Sequence, residues 1–234
     1  MTAQPLASLN DAFAQCAVMN APLSDRLDAL AEAVRRVRPA FTAPVEALIA
    51  RLREGDVGAA APKPGDAMPP FHLPDESGRL VGLDALLARG PVAVVFHRGH
   101  WCPYCRLCAR ALAAAQPSVE AAGGQLVAIL PERQAYAASL KAEAGATYPF
   151  LSDIDNGYAV SIGLVFWIGE ELAQLYRDNA TEISQYQGNG AWLVPVPAIF
   201  VIRPDGRVAA RFVDPDYRKR MAIDDLVAAV AAAA

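Results

Sequence analysis

The sequence contains few cysteines and few lysines, and each shortage limits the classes of protein to which it can belong. Four cysteines among 234 residues are too few for a secreted scaffold held together by disulfides. With only three lysines, nearly all positive charge is arginine, and the formal net charge of −4 excludes a strongly basic nucleic-acid-binding protein. Hydrophobic residues make up 54% and charged residues 20%, which suits a folded domain with a sizeable core.

Long hydrophobic runs are also missing. The apolar runs, such as residues 91–96 and 194–202, are far shorter than the ~20 residues that a membrane-spanning helix needs. Residues 1–10 are polar and lack the basic and apolar regions of a signal peptide. We therefore expect no contact with a membrane and a cytoplasmic location.

Glycine is absent before Gly55, and the first part of the chain has a helical pattern. Apolar residues at helical spacing predict one helix from about residue 23 to Pro39 and another over residues 43–53. Residues 55–65, rich in Gly, Ala and Pro, are typical of a linker. We expect a helical N-terminal extension and linker over residues 1–60, which either packs on the main domain or builds a homodimer.

From residue 61 to residue 234 the pattern changes to strands that alternate with helices. The predicted strands are 71–73, 80–82, 91–96, 125–130, 198–202 and 208–213, and the predicted helices are 103–114, 133–143 and 222–233. The helix that starts at Pro103 is expected to end before Pro117. Because the last two strands form a hairpin, the fold class is α/β with a mixed sheet.

Three of the four cysteines are clustered at Cys102, Cys105 and Cys108, between a buried strand and a helix. Pro103 fits the first helical position, so Cys102 lies near the N-cap, where the helix dipole stabilises a thiolate. Cys105, one turn further, can close a disulfide with Cys102 but is better shielded. Arg98 precedes Cys102 by four residues, where its charge can lower a thiol pKa or polarise a peroxide; the alternative is a solvated loop charge.

The remaining residues of this region have simpler interpretations as well. Cys16 and Cys108 fit buried core positions, because cysteine is among the most buried residue types. The C-x-x-C-x-x-C spacing is part of an iron–sulfur pattern, but the fourth Cys of that pattern is absent, and a zinc site would need a second ligand pair. We therefore expect no metal or other cofactor. Trp101 either covers the thiols or belongs to the core, and the sequence does not decide between structural and functional roles for His97 and His100.

Residues 98–105, with the sequence Arg-Gly-His-Trp-Cys-Pro-Tyr-Cys, resemble the R-G-x-W-C-P-[YF]-C signature of peroxiredoxin-like AhpC/TSA proteins in the thioredoxin superfamily. Residues 65–73 are similar to the G-x-x-x-P-x-F-x-L segment of that group, and residues 150–153 are similar to its Leu-Ser-Asp segment. Residues 196–202 resemble the thioredoxin-fold strand that opens with a cis-proline, which would be Pro197 rather than Pro195. The resemblance covers about residues 62–230.

The resemblance implies a thioredoxin fold over residues 61–234 and a thiol-dependent peroxidase. Cys102 and Cys105 would form a dithiol–disulfide cycle that reduces hydrogen peroxide or organic hydroperoxides, with Arg98 as a third catalytic residue. Trp101, His100 and Pro197 would bind the substrate, and a thioredoxin- or glutathione-type reductant would restore the thiols. A thiol–disulfide oxidoreductase acting on protein or glutathione disulfides is the alternative.

Three departures from the related patterns leave part of this assignment open. Peroxiredoxins carry P-x-x-x-T-x-x-C, and alignment of Cys105 with their peroxide-reacting cysteine puts Arg98 and Cys102 at the Pro and Thr positions. That alignment favours Cys105 as the nucleophile, whereas the helix-end argument favours Cys102. The late-strand Arg of peroxiredoxins is not seen around residues 194–200, and Phe96 replaces the buried Asp of thioredoxins.

The insert at residues 164–195 is a candidate pocket wall, a candidate subunit interface or part of the core.

Overall fold

Nine strands and ten α-helices lie within residues 8–234, which are the residues that the computed structural model describes. The strands are β1 (His72–Pro74), β2 (Leu80–Gly82), β3 (Val92–Phe96), β4 (Gln125–Leu130), β5 (Phe150–Ser152), β6 (Val165–Trp167), β7 (Leu193–Pro195), β8 (Ala198–Ile202) and β9 (Val208–Val213). The helices are α1 (Leu9–Ala17), α2 (Leu23–Val37), α3 (Thr42–Glu54), α4 (Leu83–Leu87), α5 (Pro103–Ala121), α6 (Gln134–Ala144), α7 (Gly157–Ser161), α8 (Glu170–Asp178), α9 (Ile183–Gln187) and α10 (Ile223–Ala231).

The central sheet has five strands in the order β5-β4-β3-β8-β9. Strands β3, β4 and β5 run parallel to one another, whereas β8 is antiparallel to both β3 and β9. All five residues of β3 are buried, which explains why its sequence is continuously apolar rather than alternating. The predicted mixed α/β sheet, with helices around it, is confirmed.

Helix α5 is longer than the sequence predicts. It continues through Pro117 to Ala121 instead of ending near residue 114. Pro117 is exposed, and the apolar side of the helix continues beyond it with Val119, which is fully buried. Burial of that side stabilises the last turn despite the backbone hydrogen bond that proline cannot donate.

The N-terminal helices pack directly on the rest of the chain. Helices α1 and α2 contact α5, and α3 contacts α8. Leu30 and Ile49, from α2 and α3, are buried in the same hydrophobic core as the strands, and Cys16 is buried there too. The predicted helical extension is present, and these contacts favour packing on the domain; the division at residue 60 and the homodimer stay predictions. Residues 1–7 of that extension lie outside the described residues.

Two further features concern the surroundings of the sheet. Pro197 is buried directly before β8, but no peptide bond within residues 8–234 is cis, so the expectation of a cis-proline is wrong. The insert at residues 164–195 forms an antiparallel pair, β6 with β7, and the two helices between them. Among the described residues, no helix combines the length and the apolar character that crossing a membrane requires.

Candidate active site

The loop that leaves β3 leads directly into the cysteine pair. Cys102 is the N-cap of α5 and Pro103 is the first helical residue, as the sequence predicts. The Cys102 carbonyl accepts the backbone N–H groups of Cys105 at 3.0 Å and Arg106 at 3.1 Å. The Cys102 side chain makes no capping hydrogen bond with the backbone N–H groups of the first turn.

Both cysteines of the pair are buried. The exposed fraction is 1% for Cys102 and 0% for Cys105. Exposure therefore does not distinguish the two cysteines, although the sequence suggested that Cys105 is the better shielded. Of the two, Cys102 lines a cavity of about 70 Å³, and Cys105 lies behind it in the first turn of α5. A small molecule in this cavity would therefore meet the Cys102 thiol first.

The electrostatic surroundings of the two thiols differ in the opposite sense from the helix-end expectation. Burial opposes ionisation of Cys105, but the neighbouring Cys102 and His97 side chains and the charge of Arg220 hold the pKa of Cys105 well below its usual range. The Cys105 sulfur also accepts the backbone N–H of Arg98 at 3.3 Å. Burial raises the pKa of Cys102, and its hydrogen bond with Cys105 raises it further. These surroundings favour ionisation of Cys105 over ionisation of Cys102.

Arg98 lies beside the cysteines, as its position in the sequence predicts. Its buried guanidinium is stacked between aromatic rings, 3.9 Å from the centre of Tyr217 and 4.7 Å from the centre of Trp101. Its Nη1 atom is 4.0 Å from the Cys102 sulfur, and Nη2 donates to the Tyr176 hydroxyl at 3.4 Å. Burial lowers the pKa of Arg98, but Tyr176 and the two thiols raise it by more than burial lowers it. The pKa of Arg98 therefore lies above its ordinary value, and the side chain stays charged.

The Arg98 cation has no carboxylate partner within residues 8–234. Removing a charge from water is costly unless an opposite charge lies nearby. The available counter-charge is a thiolate, which lies within reach of both Arg98 and Arg220. The site is thus built for a negative charge on sulfur.

Aromatic side chains close the site. The Trp101 ring contacts the Tyr176 ring edge to face, with 5.3 Å between centroids. Tyr176, in α8, and Thr181, which follows that helix, both line the cavity. The insert therefore forms part of the cavity wall. The wall interpretation of the insert is supported for these two residues, while Trp192, which is buried, does not line this cavity.

The other predicted site residues lie further from the Cys102 cavity. His97 is buried, stacks on Phe150 and adjoins Cys105. His100 pairs with Glu143 at 2.9 Å and lines an adjoining, more polar cleft of about 440 Å³, which shares Trp101 and Pro103 with the Cys102 cavity. Pro197 is buried and belongs to the lining of neither space. The structure brings Cys102, Cys105, Arg98 and Trp101 together and places His100 and Pro197 outside the cavity.

Glu132, two residues after the end of β4, is a buried carboxyl group that the sequence did not single out. Its Oε2 atom accepts the backbone N–H of His100 at 2.9 Å, and its Oε1 atom has no partner. Burial raises the pKa of Glu132 to about 8. Gly99 has a φ of +141°, and a Cβ there would collide with the Glu132 carboxyl group, so this close approach requires glycine.

Arg220 and Tyr217 are further site residues that the sequence did not reveal. Both come from the segment between β9 and α10, more than 110 residues after Cys105. The one signal in the sequence is weak: Arg218, Lys219 and Arg220 form a short basic stretch before the last helix. Tyrosine and arginine there are equally typical of an exposed loop.

The third clustered cysteine, Cys108, is fully buried, in agreement with its expected core position. Burial raises the pKa of its thiol to about 11, so it is protonated at neutral pH. Within residues 8–234, no group of three or more His, Cys, Asp or Glu side chains is arranged to hold a metal ion.

Comparison with solved structures places the fold among peroxiredoxins. The peroxidoxin BcpB from Mycobacterium tuberculosis is 23% identical, with a TM-score of 0.57 over 73% of this chain and 97% of that one. The bacterioferritin comigratory protein of Xanthomonas campestris is 17% identical, with a TM-score of 0.52 over 69% of this chain and 90% of that one. A mutant of peroxiredoxin 6 from Arenicola marina is also 17% identical, with a TM-score of 0.54 over 70% of each chain. At these identities, the likeness establishes the thioredoxin-like peroxiredoxin fold.

Sequence comparison adds the family. No curated protein matches the chain. The AhpC/TSA family profile matches residues 64–211, which is more than half of the sequence and includes the cysteine pair, the insert and the central sheet up to the middle of β9. The chain therefore belongs to the AhpC/TSA family.

Proposed function

We propose that this protein is a thiol peroxidase that reduces hydroperoxides through a Cys102–Cys105 dithiol–disulfide cycle. The observation that carries the proposal is the position of Cys102 in the wall of a small cavity, with the Arg98 guanidinium beside it. A buried thiol next to a fixed cation suits a small substrate that develops negative charge on oxygen as it reacts. Family membership and the peroxiredoxin fold support this activity.

In the proposed reaction, Cys105 acts as the base for Cys102. The Cys102 thiol passes its proton to the neighbouring Cys105 sulfur, and the Arg98 guanidinium, 4.0 Å from the Cys102 sulfur, stabilises the thiolate that forms on Cys102. The Cys102 sulfur then attacks the terminal peroxide oxygen, the O–O bond breaks, and the departing alkoxide or hydroxide is protonated to an alcohol or water. Arg98 stabilises the charge that develops on this oxygen.

The second half of the cycle restores the thiols. The Cys105 sulfur attacks the sulfenic acid on Cys102, the S–O bond breaks, water leaves, and a disulfide forms. An external dithiol of the thioredoxin type, or two molecules of glutathione, then reduces this disulfide by exchange. Two electrons thus pass from the external thiols to the peroxide in each turn.

Burial of the cysteines disfavours the alternative, a thiol–disulfide oxidoreductase acting on folded proteins. With an exposed fraction of 1% or less, neither sulfur can be approached by the disulfide of a large substrate without movement of the covering residues. A hydroperoxide group is small enough to enter the cavity at Cys102. The geometry therefore supports peroxide as the oxidant.

Rapid mixing of the reduced protein with hydrogen peroxide or tert-butyl hydroperoxide tests the proposal. Because the Trp101 ring adjoins the cavity, its fluorescence reports on oxidation of Cys102. We expect oxidation that is orders of magnitude faster than that of free cysteine. A rate near that of free cysteine with both peroxides, together with rapid exchange with glutathione disulfide, would instead support the oxidoreductase.

Cysteine variants test the order of the two thiols. We expect Cys102→Ser to abolish the fast oxidation, and Cys105→Ser to stop after one slow oxidation, with a sulfenic acid on Cys102 that dimedone traps. Cys108→Ser is the matched control and should keep turnover, because that thiol is buried away from the cavity. Fast sulfenic acid formation on Cys105 in the Cys102→Ser variant would reverse the order, and full turnover by Cys105→Ser would exclude the two-cysteine cycle.

A further inference from the structure

The polar cleft of about 440 Å³ adjoins the Cys102 cavity. The two spaces share five lining residues, which are Leu9, Arg38, Trp101, Pro103 and Thr181. The volume of the cleft lies within the roughly 300–1,000 Å³ of sites for small organic molecules, whereas the Cys102 cavity of about 70 Å³ holds only a few non-hydrogen atoms. A molecule bound in the cleft therefore lies next to the space in which Cys102 is accessible.

The N-terminal helices form one side of the cleft. Ser8, Leu9, Asn10 and Phe13 come from α1 and its N-cap, and Arg38 follows α2. All five precede residues 64–211, the part of the chain that the family profile matches. This side of the cleft is therefore a feature of the N-terminal extension.

Arg38 places a cation where the two spaces meet. Within residues 8–234, its guanidinium forms no ion pair, and it lies 5.8 Å from the centre of the Phe41 ring. The side chain is half-buried. A half-buried cation that lines a cleft attracts a carboxylate more strongly than a fully solvated surface charge does.

The carboxylate of the cleft is already paired. Among the described residues, Glu143 alone contributes an acidic side chain to the lining, and it pairs with Arg106 at 2.8 Å and with His100 at 2.9 Å. It forms no ion pair with Arg38 and therefore does not compensate that charge.

The Cys102 cavity continues this excess of positive charge. Two of its arginines pair with carboxylates, Arg35 with Glu32 and Arg218 with both Glu46 and Asp216. Arg98 has no such partner in the described part of the chain, and it lies beside the Cys102 sulfur. Arg38 and Arg98 therefore give the two adjoining spaces an unbalanced positive charge, which suits an anionic ligand.

The proposed disulfide cycle needs a thiol that can reach this space. The burial that keeps the disulfide of a large substrate from the two cysteines also keeps a protein dithiol from them. We propose that the cleft binds a low-molecular-weight thiol that carries carboxylate groups, as glutathione does, and that this thiol reduces the Cys102–Cys105 disulfide. A carboxylate of the ligand pairs with Arg38, and its thiol enters the Cys102 cavity. The inference rests on the proposed function and names the class of its reductant.

The reduction proceeds by two thiol–disulfide exchanges. The thiolate of the ligand attacks the Cys102 sulfur, the bond to Cys105 breaks, and Cys105 leaves as a thiolate beside Arg220. Cys105 is the better leaving group because its pKa is well below its usual range. A second molecule of the small thiol then attacks the sulfur of the first, which breaks the mixed disulfide and releases Cys102. The two small thiols become one disulfide, and their two electrons and two protons pass to the cysteines.

The test starts from protein that diamide has oxidised to the disulfide, so peroxide takes no part in it. Trp101 fluorescence follows reduction by glutathione and by glutathione diethyl ester, which has the same thiol but no carboxylate charge. We expect glutathione to react about tenfold faster than the ester at low concentrations of both. Arg38→Gln should lower this glutathione-to-ester rate ratio about tenfold.

The matched control is Arg36→Gln. Arg36 is an exposed arginine of α2 that pairs with Glu32 and does not line the cleft, so its replacement should keep the wild-type ratio. Because a ratio of two rates is measured, a general effect of a substitution on folding, which changes both rates, does not imitate the expected result.

The outcomes separate this inference from the proposed function. Equal rates for glutathione and its ester in the wild type, or an unchanged ratio in Arg38→Gln, would overturn the thiol site and leave the peroxidase. Faster reduction by reduced thioredoxin than by glutathione at equal concentration would also overturn the site alone. Failure of diamide to join Cys102 to Cys105, or slow oxidation of the reduced protein by both peroxides, would overturn the proposed function and the site together.

Discussion

The guanidinium of Arg220 lies 3.5 Å from the sulfur of Cys105, although 115 residues separate them in the chain. Its Nη1 atom donates to the backbone carbonyls of Tyr217 and Lys219, which hold the side chain against the sulfur. Arg220 thereby places a second cation at the cysteine pair, in addition to Arg98. Together they explain how a thiolate is kept in a buried position.

Replacement of Arg220 by glutamine should raise the pKa of Cys105. A neighbouring charge shifts a pKa by about one unit or more, so less thiolate is present at neutral pH and oxidation by peroxide slows about tenfold. Raising the pH should restore part of the rate, because hydroxide then removes the proton from the Cys105 thiol. The ultraviolet absorbance of the thiolate, followed against pH, measures the shift. Arg203→Gln, which removes a partly exposed arginine that pairs with Asp205 far from the thiols in the sequence, is the control. An unshifted titration in Arg220→Gln would contradict the assignment.

Replacement of Arg98 by lysine should impair both activity and stability. Lysine keeps the charge but loses the planar group that stacks between Trp101 and Tyr217. We expect oxidation by peroxide to slow about 10- to 100-fold and the free energy of unfolding to fall by about 1–3 kcal/mol. Stopped-flow oxidation and urea unfolding measure the two effects. The same change at the exposed Arg36 of α2 should alter neither, and a wild-type oxidation rate in Arg98→Lys would exclude a catalytic role.

The buried Glu132 carboxyl group should make the protein less stable as the pH rises towards 8. In the folded protein, its pKa is raised to about 8, whereas in the unfolded chain the carboxyl group ionises near its ordinary value of 4.5. The folded state therefore binds more protons between these values, and stability falls by up to about 1.4 kcal/mol per pH unit.

Glu132→Gln, which keeps an acceptor for the His100 N–H, should remove this dependence. Urea unfolding at several pH values should show the variant gaining stability relative to the wild type from about pH 5 to about pH 8. Glu120→Gln, at an exposed position of α5, should show no such trend. A difference between Glu132→Gln and wild type that is constant with pH would mean that the Glu132 carboxyl group is ionised in the folded protein.

Pro117→Ala should stabilise α5. Alanine restores the backbone N–H that proline lacks within the helix, a loss worth about 3 kcal/mol. Part of this gain is cancelled because alanine leaves the unfolded chain more freedom, so we expect a net increase of about 1–2 kcal/mol in the free energy of unfolding. Urea unfolding of Pro117→Ala measures the change in the free energy of unfolding. Ser118→Ala, at the exposed neighbouring position, is the control. A loss of stability in Pro117→Ala would mean that the helix is adapted to the proline.

Strands β3, β4, β8 and β9 could be predicted closely from the sequence, because each is a short run of β-forming residues bounded by turn residues. The end of α5 could not, since its continuation beyond Pro117 depends on burial of Val119 by other elements. The conformation of the peptide bond before Pro197 was likewise inferred from resemblance, and the structure has it trans.

By itself, the sequence determined the α/β fold class, the cysteine pair at the start of a helix and the position of Arg98 next to it. These follow from periodicity and from spacing along a single strand–helix connection. Tertiary structure alone decided which thiol meets the cavity, which thiol is the more easily ionised, and how Val34, Phe41 and Val45 complete the wall. The physical reason is that burial and electrostatic interaction act through space, so the properties of Cys102 and Cys105 depend on Arg220, Tyr217 and the N-terminal helices, which are distant along the chain.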